Sequence, residues 1–276
     1  MFCTSQPRIT VVSGHTNPHL GLPINHDVYC RRHGYTYLYD VNPRPLKLVF
    51  DHKIHAILRA LDDPRTDWVL WIDDDAFFAQ LDTPLTDIKG QDVEAPWGGG
   101  CQPEDQKRPL VERPELAHFS RSPVNPQGMW SAINSGIMWL RRDPAIIDLM
   151  EEVLETDIDQ VRAWWNPDTN GNLFVDDGDQ ERIQYLLVQK NWGARAALHD
   201  PLVFNSRPYH LKDRVDELFI CHLASARDKV QGVAEIRQRF GLDEFGLPPG
   251  ALDDPASYRF SLFASMIPKR TMMPDC

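Results

Sequence analysis

Trp68-Val69-Leu70-Trp71-Ile72-Asp73-Asp74-Asp75 is the stretch on which the fold turns. Five apolar residues without alternation are too few for a buried helix and suit a strand covered on both faces, as in the parallel sheets of α/β proteins. Three carboxylates follow at once. Like charges about 4 Å apart cost roughly 4 kcal/mol per pair at an effective dielectric near 20, so a cation is expected among them. In extended backbone alternate side chains share a face, which predicts Asp73 and Asp75 on one side and Asp74 on the other. Two hard oxygen ligands suit Mn²⁺ or Mg²⁺, ions that keep positions open for substrate phosphates. The plainer alternative is a turn in which Asp73 caps the next element and its neighbours face water.

Working outward, Ile9–Val12 is a short β-branched run closed by Ser13-Gly14, a strand entering a turn where a nucleotide could approach the backbone. Residues 24–33 have helical composition and stop at Gly34, Tyr35–Tyr39 reads as a second strand ending at Asp40, and 46–61 carries apolar residues at mostly helical spacing. Strand, helix, strand, helix, strand predicts an open parallel sheet with helices on both faces, a Rossmann-type α/β architecture whose ligands sit at the carboxyl ends of the strands. A carboxylate at Asp40 is placed to meet a base or ribose. Downstream, 90–130 is rich in Gly, Pro and charge and predicts a long insertion or lid. Strands are expected over 136–140 and 219–221, and helices over 144–155 and 180–189. The chain is therefore read as a single domain over 1–246, with a nucleotide-binding half at about 7–80, an acceptor half at about 130–240 and a C-terminal tail at 247–276.

Composition narrows the partners. The 276 residues hold 29 Lys and Arg against 40 Asp and Glu, a net charge of −11 that opposes a nucleic-acid polyanion. No run reaches the roughly 18 apolar residues of a membrane span, and the first residues lack a basic and apolar leader, which suggests a cytoplasmic protein working on a soluble acceptor such as a small metabolite or natural product. Five scattered cysteines in no zinc spacing suggest reduced thiols.

Two metal-dependent chemistries use a strand-terminal Asp-x-Asp. Phosphohydrolases of the haloacid-dehalogenase type need it after the first strand, with Thr or Val two places on, where this chain has Phe77 after its third strand. Transfer from a nucleotide-sugar suits the later placement better. A non-catalytic nucleotide- or glycan-binding protein is the third possibility.

Several blocks then match in order. Tyr29-Cys30-Arg31-Arg32-His33-Gly34, Lys53 on the next helix, Trp68–Phe78 with its Asp-x-Asp-Ala, Asn134-Ser135-Gly136, Gly178-Asp179-Gln180 and Phe219-Ile220-Cys221-His222 together resemble glycosyltransferase family 34. This is a retaining GT-A-fold group that includes fungal α-galactosyl- and mannosyltransferases and plant xyloglucan xylosyltransferases. The resemblance implies a GT-A-like fold and transfer of a sugar from a nucleotide diphosphate donor, with UDP as nucleotide, to a hydroxyl acceptor with retained anomeric configuration. It implies that His222 joins Asp73 and Asp75 around Mn²⁺ or Mg²⁺. Asp179 and Gln180 would line the reacting face of the sugar, unless Asp179 is only a helix cap. Asn134 and Ser135 would contact donor sugar or acceptor, against plain turn chemistry with Gly136. Lys53 would meet a phosphate or the Asp40 region, Asp74 the ribose or an arginine, and Lys212, Arg227 or Lys229 would clamp the diphosphate. Trp97, Trp130, Trp164 and Trp165 are candidates for stacking on sugar rings or for packing. Gly178 stands where the family has a first Asp before Asp-Gln.

Overall fold

The computed structural model describes residues 6–14, 22–41, 46, 48–98, 104–122, 133–164, 178–206, 218–223, 229–243 and 245–247. Strand β1 (Ile9–Gly14) leads to helix α1 (Pro23–His33), which ends where Gly34 takes the left-handed φ of 72°, then to β2 (Thr36–Asp40), α2 (Asp51–Asp62) and β3 (Trp68–Ile72). β4 (Ala76–Phe78), β5 (Asp92–Val93), β6 (Ala117–Arg121) and β7 (Ile133–Arg141) follow. The chain continues through α3 (Pro144–Glu155), α4 (Ile158–Trp164), α5 (Asp179–Gln189), β8 (Ala196–His199), β9 (Ile220–His222) and α6 (Lys229–Phe240).

Among the described residues seven strands form one sheet in the order β2-β1-β3-β7-β6-β8-β5, and β4 pairs with β9 in a second, two-stranded sheet. Both β2 and β3 run parallel to β1, as the strand and helix order requires. Beyond β3 the sheet is mixed: β7 is antiparallel to β3 and to β6, and β5 to β8, while β6 and β8 are parallel. The parallel arrangement expected from the first 75 residues is thus present, and the later strands join it in mixed directions.

β3 is buried on both faces, as its unbroken apolar run predicts. Val69 and Trp71 pack with Ile54 and Ile57 of α2, Val153 of α3 and Ile183 and Leu187 of α5. Leu70 and Ile72 pack on the opposite side with Tyr29 of α1, Phe78 of β4 and Phe219. Helix α2 begins at Asp51, not at Leu46. The 90–130 stretch is in part framework: β5 and β6 belong to it, and β6 lies between β7 and β8 inside the main sheet. Leu247 is fully buried and the Gly246 carbonyl accepts from Asn25 Nδ2 at 2.8 Å, while the rest of the expected tail, 248–276, lies outside the described residues. Cys30 and Cys221 are buried and form no disulfide among the described residues.

Candidate metal and donor site

The site lies at the carboxyl end of β3. Residues 73–75 are a turn, with Ala76 N–H donating to the Asp73 carbonyl at 3.0 Å, so strand alternation does not sort the three carboxylates. The turn nevertheless separates them as expected. Asp73 and Asp75 converge, while Asp74 is buried elsewhere, beside Tyr39, whose phenol is held protonated by burial and by that carboxylate. β4 then pairs with β9 so that Ala76 lies opposite His222, bringing the late histidine to the turn. His222 Nε2 is 3.1 Å from Asp75 Oδ1 and 3.6 Å from Asp73 Oδ2. Asp73, Asp75 and His222 form a candidate metal group whose ligand atoms lie within 4.8 Å of one another.

This donor set fits a divalent ion. Adjacent ligands of a six-coordinate ion with bonds of about 2.1 Å are about 3.0 Å apart. Carboxylate oxygens with one imidazole nitrogen suit Mn²⁺ somewhat better than Mg²⁺. Asp75 and His222 are buried, and Asp73 keeps 26% of its side chain exposed, which leaves an open face.

Lys53 is the hub of the second half of the site. From α2 its Nζ sits 3.2 Å from Asp73 Oδ1 and 3.2 Å from Asp179 Oδ2, and donates to the Ser135 carbonyl at 3.1 Å and to Ser135 Oγ at 3.3 Å. Burial alone would lower its pKa, but the Asp179 and Asp73 carboxylates outweigh burial and raise it, so the ammonium stays charged. It therefore joins the candidate metal ligands to the first residue of α5 and does not pair with Asp40. Gln180 Oε1 accepts from Ser135 N–H at 3.2 Å, which ties α5 to β7. Asp179 does not cap α5, since Gly178 holds that position.

Other expected site residues are engaged within the protein. Asp40, 1% exposed, faces Arg59 at 3.1 Å and His52 at 3.7 Å, a placement that gives no support to a ribose contact. Ser13 is fully buried, and a Cβ on Gly14 would come within 2.4 Å of the Asp40 carbonyl, so this glycine serves the packing of β1 on β2. Asn134 Oδ1 accepts from Gly136 N–H at 3.0 Å and from Asn205 Nδ2 at 2.8 Å, so this oxygen is engaged within the protein. Trp97 is buried and its indole N–H donates to the Ala196 carbonyl, and half-buried Trp164 packs edge-on against Tyr185. Lys212, Arg227, Trp130, Trp165 and the side chain of Lys229 lie outside the described residues.

Three residues escaped sequence reasoning. The Trp71 indole N–H donates to Asp73 Oδ1 at 2.7 Å, Asn205 meets both Asn134 and His222, and buried Arg182 binds Asp51 at 2.6 Å beneath α5. Only Trp71 left a signal, a tryptophan two places before the first carboxylate.

Residues 22–206 match the model of the galactosyl transferase GMA12/MNN10 family. The chain belongs to this glycosyltransferase family. Relatives of this chain include probable glycosyltransferase 6 of Oryza sativa subsp. indica, 26% identical over 220 residues that cover 76% of this chain and 41% of the relative. Probable glycosyltransferase 7 of the same subspecies is 24% identical over 223 residues, covering 76% and 44%. The chain thus spans about two fifths of the length of these relatives. Among solved structures, a glycosyltransferase involved in the glycosylation of the major capsid of PBCV-1 superposes with a TM-score of 0.54 at 20% identity, covering 86% of this chain and all of that one, which supports a GT-A-like fold. The GMA12/MNN10 match contains Asp73, Asp75, Lys53, Asn134 and Asp179 but stops short of His222.

Proposed function

We propose that this glycosyltransferase moves a sugar from a nucleotide diphosphate donor, a UDP-sugar, to a hydroxyl of a small acceptor, with retained anomeric configuration and with dependence on Mn²⁺ or Mg²⁺. The observation that carries the proposal is the convergence of Asp73, Asp75 and His222 at the end of β3, joined through Lys53 to Asp179. Asp73, Asp75 and His222 would hold a divalent ion, which would supply electrostatic stabilisation of charge building on the departing diphosphate.

The chain's own residues set the rest. The bond from the anomeric carbon to the diphosphate oxygen breaks with its electron pair leaving on the diphosphate. The acceptor oxygen makes the new bond, and its proton goes to the released diphosphate. Asp179, with its Oδ2 3.2 Å from the Lys53 ammonium, is the carboxylate assigned to positive charge developing on the sugar. Lys53 and Trp71 hold Asp73 in one orientation, so little reorganisation is needed as charge moves.

Incubation with a panel of nucleotide-sugars and Mn²⁺ should release nucleoside diphosphate, and NMR of the product should show the donor's anomeric configuration. Asp73→Ala and Asp75→Ala should each lower release by about a hundredfold or more, the scale of losing a main electrostatic contact. Undiminished release in both variants would refute metal dependence. Tight UDP binding with no turnover in the unaltered protein would instead favour a binding role.

A further inference from the structure

A buried relay of amides runs from the backbone of β7 to the far side of the His222 ring. Gly136 N–H lies 3.0 Å from Asn134 Oδ1, Asn205 Nδ2 lies 2.8 Å from that same oxygen, and Asn205 Oδ1 lies 2.8 Å from His222 Nδ1. Asn205 is fully buried, and Asn134 and His222 are buried beside it. A backbone N–H can only donate, so the Asn134 atom facing Gly136 must be the oxygen. That oxygen requires the NH₂ of Asn205 opposite it, which leaves the Asn205 oxygen toward the ring. An oxygen there accepts only if Nδ1 carries the hydrogen. In the neutral ring, Nε2 then bears the lone pair, and Nε2 is the atom 3.1 Å from Asp75 and 3.6 Å from Asp73.

The relay is itself held by backbone. Asn205 N–H donates to the Pro201 carbonyl at 3.0 Å, Ser206 N–H to Ile220 at 3.0 Å, and His222 N–H to Ser206 at 2.8 Å, which binds the 201–206 turn to β9. We infer that Asn205 is a positioning residue that fixes His222 as its Nδ1–H tautomer, oriented by Asn134 and ultimately by the Gly136 amide, so that the Nε2 lone pair faces Asp73 and Asp75. This deepens the metal-dependent reading and rests on it for its purpose. The tautomer rests on the hydrogen bonds alone. Asn205 is fully buried and touches His222 at Nδ1, so its effect is exerted through the imidazole.

The test has two arms. In the metal-free protein with ¹⁵N-labelled histidine, at a pH where imidazole is neutral, NMR should show His222 with hydrogen on Nδ1, its signals assigned by their loss in His222→Ala. Hydrogen on Nε2 overturns the inference. Titration of Mn²⁺ by EPR with UDP present should show Asn205→Leu weakened by about tenfold or more, the usual scale for a lost partner of a ligating histidine. Asn205→Asp, which keeps an acceptor for Nδ1–H but sets its second oxygen against Asn134 Oδ1, should bind more tightly than Asn205→Leu. Unchanged affinity in Asn205→Leu also overturns the inference. Should Asn205→Leu fail to fold, the NMR arm decides on the unaltered chain. If that chain binds no Mn²⁺, the metal-dependent reading fails, while the ring tautomer still decides this one.

Discussion

Gly136 has no room for a side chain: a Cβ there would lie 2.0 Å from His222 Cε1 and 2.9 Å from Asn134 Oδ1. Gly136→Ala must therefore push the ring from the two aspartates, and on the proposed function we expect about a hundredfold loss of nucleoside diphosphate release assayed with Mn²⁺, the cost of misplacing a site group by an ångström or so. A circular dichroism spectrum like that of the unaltered protein would show that the fold persists. Lys53 gives the opposite balance, because removing it strands Asp73 and Asp179 without their shared cation. Lys53→Met should lower stability by about 3–5 kcal/mol in urea unfolding, the scale of breaking a buried pair. Its folded pKa is raised above the ordinary 10.5, so this contribution is complete below pH 10.5 and is lost only as pH climbs through the folded value. Lys53 is thus no source of pH dependence near neutrality. At this scale Asp73 and Asp75 were legible from like-charge repulsion, and His222 only through the family resemblance. Asn205 left no trace, since a buried asparagine in a turn has neither periodicity nor charge to betray it.

Helix α5 is set in place by one buried guanidinium. Arg182 donates to Asp51 at the start of α2 at 2.6 Å, to the Val153 carbonyl of α3 at 2.9 Å and to the Gly178 carbonyl at 3.3 Å. Three helices therefore meet on a side chain one turn below Asp179. Arg182→Met should cost about 3–5 kcal/mol by leaving Asp51 buried and unpaired, and Asp51→Asn in the same background should recover part of it, a coupling that a double-mutant cycle of melting temperatures would read. Elements announced themselves unevenly. β1, α1, β2 and β3 were readable because apolar runs alternate with clear stops. β6 was not, because Ala117-His118-Phe119-Ser120-Arg121 buries a histidine and a serine that look like surface residues in a Pro-rich neighbourhood. β4, three residues long, is defined by its partner β9 and not by any local signal.

Across the whole molecule, burial of neutral histidines makes the fold sensitive to acid. His26 donates to the Ala76 carbonyl at 2.7 Å, and burial, partly offset by that bond, lowers its pKa from 6.5 to about 4. His118 and His199, 3.1 Å apart on β6 and β8, are also held below the ordinary value by burial. The unfolded chain takes up these protons first, so stability is full above pH 6.5 and is lost as pH falls toward 4. For His26 alone the loss approaches about 3 kcal/mol. Melting temperatures recorded over that interval should fall less steeply for His26→Gln than for the unaltered protein. The global arrangement was legible as far as the third strand, after which crossovers between distant segments, which no local pattern encodes, made the sheet mixed. Those crossovers bear on any attempt to shorten the protein. β1 runs between β2 and β3 yet precedes residue 22, and β9 follows residue 206, so a fragment cut to the family match would lack an inner stave of its sheet and the imidazole that faces Asp73 and Asp75.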